Sequence, residues 1–124
     1  MTHVIDLSQF EKEEYCYLTT RGRVTGNPHE IEIWFVVHEG SIYIMSGNLA
    51  RSDWVKNLLK DPNVTLRIAG QTFPAIASIN ATSEEILIRN KMADKYKERE
   101  ADGSLSEWAQ TALVVKFRPL DPQR

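Results

Sequence analysis

Apolar and polar side chains alternate most regularly between His29 and His38. Ile31, Ile33, Phe35 and Val37 fall on one face of an extended chain, and Glu30, Glu32, Trp34 and Val36 on the other, which predicts a long strand. Tyr15–Arg21 predicts the strand before it, closed by a turn in Gly22–Pro28, where two glycines and a proline punctuate the chain. Glu39–Gly40 is a hairpin signal, with Ser41–Ser46 as the returning strand. Val64–Ala69 and Phe73–Asn80 predict a second hairpin around Gly70–Gln71, and Ala112–Phe117 predicts a last strand.

Between these strands the spacing turns helical. Leu7–Ser8 to Glu14 predicts a short helix with Ser8 as its cap. Ser52 suits an N-cap, Asp53 suits the first turn, and Trp54, Val55, Leu58 and Leu59 recur at helical spacing until Pro62. Thr82–Glu85 matches a capping box for a charged helix running to about Arg99, whose Lys, Arg and Glu residues read as a solvated face. A further turn of helix is expected to hold Trp108. Six strands and two substantial helices predict an α+β domain, mainly β, built on an antiparallel barrel. Neighbouring strands can pair through hairpins, and closing the sheet removes its adhesive edges. A doubly wound sheet is disfavoured, because the first three strands leave no room for crossover helices.

The 124 residues suit a single domain spanning 1–124, and 42 % hydrophobic with 26 % charged residues is ordinary for a globular chain. Burial in a dimer would help a domain of this size. A formal net charge of -2 argues against a nucleic-acid partner, which needs excess positive charge to displace counterions. No apolar stretch approaches a membrane span, and the N-terminus lacks a signal-peptide pattern, so a cytoplasmic protein is expected. Cys16, the only cysteine, has no intramolecular disulfide partner and reads as an inert packed thiol. His3, His29 and His38 lack zinc-site spacing, and there is no nucleophile elbow. Glu30 and Glu32 share a strand face but read as solvated or arginine-paired.

Three features could carry chemistry. Arg21–His29 brings two arginines, a histidine and Thr25 together around glycines, which suits either phosphate binding or an ordinary polar turn. It is neither a Walker loop nor a dinucleotide fingerprint. Ser46–Ser52 opens directly into a helix, whose free N–H groups attract anions; Arg51 would add a full charge, and the competing reading is simple capping. Trp34 and Trp54, with Asn57, are core aromatics or a support for a planar cofactor.

Taken in order, Thr19-Thr20, Gly22-Arg23-x-Thr25-Gly26-x-Pro28, Trp34-Phe35-Val36, Met45-Ser46, Trp54, Asn57-Leu58 and Asp61-Pro62-x-Val64 resemble the deazaflavin-dependent nitroreductase family. That family lies among the split barrels similar to pyridoxamine 5'-phosphate oxidase. Trp108 and Ala112–Val115 fit more loosely. The resemblance implies a six-stranded split β-barrel of the FMN-binding type, often dimeric, with a cofactor in a groove. It implies phosphate contacts from Arg23, Thr25 and His29 and from Ser46, Gly47, Arg51 and Ser52, with backbone near Ile33–Phe35 facing the ring. The implied activity is hydride transfer from F420 (a deazaflavin) or FMN to a small quinone, enone or nitro compound. The alternative is a carrier of flavin, deazaflavin or haem. Deazaflavin-binding relatives commonly carry Lys, Arg and Lys where this chain has Val24, His29 and Gly47. Each charge-assisted contact contributes about 1.5–3 kcal/mol, so these differences keep FMN in contention.

Overall fold

The computed structural model describes residues 6–79 and 83–120. Its strands are β1 (Cys16–Arg21), β2 (Pro28–Ile33), β3 (Val36–His38), β4 (Ser41–Ser46), β5 (Asn63–Ile68), β6 (Gln71–Ser78) and β7 (Leu113–Pro119). The helices are α1 (Asp53–Lys60), α2 (Glu85–Tyr96) and α3 (Glu107–Thr111), with 3₁₀ turns at Leu7–Phe10 and Leu49–Arg51. The strands form one antiparallel sheet in the order β2-β1-β5-β6-β7-β4-β3. β2 and β3 are therefore at opposite ends of the sheet, yet only Trp34 and Phe35 separate them in sequence. Three Cα steps of 3.8 Å reach at most about 11 Å, so the sheet must curl until its ends meet. That curl is the split barrel.

The expected single strand over His29–His38 is thus two strands, which raises the count among the described residues from six to seven. The alternation survives the break. Phe35 and Val37 lie in the barrel interior, with Ile31 and Ile33 packed against it, while Val36 lies in a second cluster beneath α2. The chain bends at Trp34-Phe35 because Phe35 bonds to a side chain instead of a strand partner: its N–H donates to Tyr96 Oη at 3.0 Å.

Both faces of β4 are covered. Ile42 and Ile44 face the barrel core with Leu18, Leu66 and Phe117, whereas Tyr43 and Met45 face α2 with Ile88 and Met92. Cys16 is buried in the barrel cluster, and burial pushes its thiol up to about 12, consistent with inert packing.

Other boundaries differ from expectation. The first helical segment is only the turn Leu7–Phe10, capped by Asp6, whose carboxylate accepts from the Ser8 N–H at 3.1 Å. Ser8 is therefore not the cap. The α2 helix ends at Tyr96, because Lys97 adopts a left-handed conformation at φ +59°. Thr82 of the expected capping box lies outside the described residues, and Glu84 occupies the N-cap position.

Candidate functional site

The turn after β1 is drawn tight by its backbone. Gly22 N–H donates to Asn27 O at 2.7 Å, and Gly26 N–H donates to Gly22 O at 2.8 Å. Thr25 Oγ1 accepts from the Asn27 N–H at 3.1 Å. Gly22 also makes room for the His29 imidazole, since a Cβ at that position would stand 2.6 Å from Nε2.

Arg23 projects from this turn towards α1. Asn57 Oδ1 accepts from the Arg23 backbone N–H at 3.1 Å and from Nη1 at 2.9 Å, while Asn57 Nδ2 donates to Thr20 Oγ1 at 3.1 Å. Asn57 is buried, so this one amide fixes strand, turn and guanidinium together. Arg23 Nη2 pairs with Asp53 at 3.2 Å, and Lys60 Nζ donates to Arg23 O at 2.8 Å. Thr20, Arg23, Thr25, His29, Glu30, Trp54 and Asn57 line a pocket of about 560 Å³. Glu30 also pairs with Arg67 at 3.3 Å.

The loop before α1 is held differently. Ser46 Oγ donates to Leu49 O at 2.8 Å, which leaves Ser52 Oγ to donate across the 2.7 Å to Ser46 Oγ. Ser52 stands at the N-cap position, but its side chain makes no capping bond. The first-turn N–H groups of α1 are therefore left for other acceptors. Leu49 takes a left-handed φ of +57°, a conformation that strains a residue with a Cβ. Arg51 is exposed and makes no ion pair among the described residues.

Trp34 stands at the other end of β2. Its ring stacks on Tyr96 at 4.3 Å and 9°, and Trp108 meets it edge-on at 5.5 Å. The Tyr96 hydroxyl shares one proton between Glu14 O at 2.8 Å and Phe35 O at 2.9 Å, and burial holds its pKa far above the usual phenol value. Trp108 also presses on Gly47, where a Cβ would come within 3.1 Å of its ring.

The expected residues thus form three groups. Arg23, Thr25, His29 and Trp54 share the pocket. Ser46 ends β4, and Gly47, Arg51 and Ser52 lie on the connection to Asp53, which is tied to Arg23, with Gly47 against Trp108 of the aromatic cluster. Trp34 belongs to the aromatic cluster. Sequence reasoning noted Asn57 but assigned it no contact, although a polar residue among Trp54, Val55 and Leu58 was a usable signal. It missed Tyr96 and Asp53 as site components. It also missed a cluster at the β3–β4 hairpin, where His38 Nε2 lies 2.9 Å from Glu84 and 3.8 Å from Glu39; Glu84 is remote in sequence.

Among solved structures, the fold is similar to an F420-H2-dependent reductase, FDR-A, with TM-score 0.66 and 16 % identity over 94 % of this chain and 98 % of that one. It is also similar to a pyridoxamine 5'-phosphate oxidase candidate from Listeria innocua (TM-score 0.67, 17 % identity, 94 % and 92 % covered). A third similar structure is HutZ, the haem storage protein of Vibrio cholerae (TM-score 0.67, 19 % identity, 95 % and 89 % covered). At these identities the likeness establishes the split-barrel fold. No curated protein matches the sequence. The sequence model of one family matches residues 4–106, most of the chain. The chain belongs to the F420H(2)-dependent quinone reductase family.

Proposed function

We propose that this protein is an F420-dependent oxidoreductase that passes a hydride to a small electrophilic acceptor, a quinone, an enone or a nitro compound. The observation that carries the reading is Arg23, held by buried Asn57 at one end of β2, with an aromatic cluster at the other end. The residues present fit a phosphorylated planar cofactor. Arg23 directs Nη1 to Asn57 and Nη2 to Asp53, which leaves Nε–H and a second hydrogen on each Nη for phosphate oxygens. From His29 to Trp34 the strand direction covers about 17 Å at ~3.3 Å per residue, enough to separate a phosphate from a flat ring.

In this reading Arg23, Thr25 and His29 hold the phosphate on one side. Arg51 and Ser52, with Ser46 bonded to Ser52, approach it from the loop before α1, where open backbone N–H groups favour an anion, whereas Gly47 lies against Trp108 on the side of the ring. Trp54 and Trp34 bracket the groove. The bound deazaflavin supplies the hydride chemistry, while the protein orients the acceptor and limits water. The acceptor gains the hydride and takes a proton from solvent, so a quinone leaves as hydroquinone. A homodimer is part of the proposal, since among the described residues β2 pairs only with β1 and has no hydrogen-bonded strand on its other edge.

FMN is a second reading, because deazaflavin-binding relatives commonly carry cations where this chain has Val24, His29 and Gly47. A lysine in place of Gly47 would have to displace Trp108, so the missing cation there is bound up with the packing of the aromatic cluster. Side-by-side titration of F420 and FMN, followed by tryptophan fluorescence, separates the two. Tighter F420 binding together with turnover of reduced F420 on menadione is the expected result. Binding of either cofactor or of haem without turnover would make the protein a carrier, and failure to bind F420 would overturn the proposal.

A further inference from the structure

Beside Trp34 lies a second pocket of about 470 Å³, lined by Tyr15, Glu32, Trp34, Met45, Glu98 and Trp108 among others. Its walls are aromatic and apolar, and its charged side chains are two carboxylates with no cation. Glu32 is exposed on β2 and makes no ion pair among the described residues. Glu98 is half-buried, with Oε1 accepting from Ser106 Oγ at 2.8 Å, so its position is fixed. The nearby lysines Lys12, Lys95 and Lys97 line a separate cavity on the Tyr96 side of Trp34. Aromatic faces carry negative electrostatic potential and attract cations, and the two carboxylates add to the same field.

We propose that this pocket is the acceptor subsite, and that Glu32 and Glu98 make it charge-selective: it admits flat neutral or cationic aromatic molecules and repels anionic ones. The acceptor role rests on the function proposed above, with the reactive ring at the Trp34 end. The charge selectivity does not, because it follows from the pocket walls alone. A flat guest can lie along Trp108 and Tyr15, while its charge meets the carboxylates at the rim. An anionic guest of the same shape meets repulsion partly screened by salt.

Two measurements test this. Without cofactor, the protein is titrated with 1-methylquinolinium and with naphthalene-1-sulfonate, flat probes of opposite charge, by tryptophan fluorescence. The cation should bind about tenfold more tightly, as expected for two like-signed charges a few ångströms away. The double variant Glu32→Gln, Glu98→Gln, which can keep the bond from Ser106, should erase most of that preference. Equal affinities in the unsubstituted protein, or an unchanged preference in the variant, would overturn the proposal. With reduced F420, the ratio of kcat/KM for 1,4-naphthoquinone over its 2-sulfonate is compared between the two proteins, which cancels the acceptors' different reactivity. The ratio should fall about fivefold in the variant; an unchanged ratio sinks the acceptor role. Charge-selective binding without turnover on any acceptor would remove the oxidoreductase reading while leaving the charge-selective pocket in place.

Discussion

Arg23 is a positioned cation because Asn57 Oδ1 accepts both its backbone N–H and its Nη1, while Asp53 competes for Nη2. Removing the guanidinium by Arg23→Ala should weaken cofactor binding about 10- to 100-fold, the range of one or two charged hydrogen bonds. Asn57→Ala should cost nearly as much affinity and also lower stability, by about 1–3 kcal/mol for each polar group it orphans. The two losses should not add in the double variant, since both act through one contact. Additive losses in titration would show that Asn57 does not act through Arg23. Asp53→Asn should have the opposite sign, strengthening binding several-fold at low salt as a competing charge leaves. Lys95 provides a pH test. Burial lowers its ammonium pKa to about 8 from an ordinary 10.5, so between those values the unfolded chain binds more protons and stability rises with pH. Lys95→Arg stays charged and lacks that rise. The gap between the two melting temperatures should therefore widen from pH 8 to 10.5, and a constant gap would contradict the assignment.

At the scale of elements, α2 gives the clearest contrast between pattern and structure. Its run of charges reads as a solvated face, yet Lys91 Nζ donates to Val37 O at 2.7 Å and Lys95 Nζ to Phe35 O at 3.0 Å. Arg89 reaches Ala109 O at 3.0 Å. These contacts were illegible because a lysine near the end of its reach looks the same in sequence whether it finds water or a carbonyl. Among the described residues β3 pairs only with β4, so its outer edge would otherwise leave polar groups open to another strand. Side chains from α2 take up those groups and fix the corner carrying Trp34. The strands themselves were legible, since alternation from Ile31 to Val37 persists through the corner. What alternation cannot show is a bend whose backbone bonds go to Tyr96, 61 residues away from Phe35. Tyr96→Phe should keep the stack on Trp34 but orphan the Phe35 N–H, at a cost of about 1–3 kcal/mol. Hydrogen exchange reads this directly: the Phe35 amide should lose protection while β5 and β6 keep theirs. Retained protection at Phe35 would mean that water or another group replaces the hydroxyl.

At the scale of the whole molecule, one strand links the two local devices, each of which lines its own pocket. The ends of the sheet meet at Trp34-Phe35, so β2 runs from the arginine pocket at His29 to the aromatic cluster at Trp34. The order of motifs along Thr19–Val64 made the barrel legible, but the separation between the two ends was not, because it depends on where the sheet closes. That separation yields a prediction. Trp54 lines the arginine pocket, while Trp34 and Trp108 line the other, so the tryptophans report on pockets at opposite ends of β2. Inorganic phosphate should perturb only the Trp54 emission, and Trp54→Phe should abolish that response. A whole deazaflavin should quench both ends, so Trp54→Phe should retain part of the quench and Trp34→Phe another part. Saturating F420 at 100 times its Kd should also raise stability by about 2.7 kcal/mol if it binds only the folded chain. If the full cofactor quenches Trp54 alone, the ring does not lie along β2. The aromatic cluster would then have to act on something other than the hydride donor.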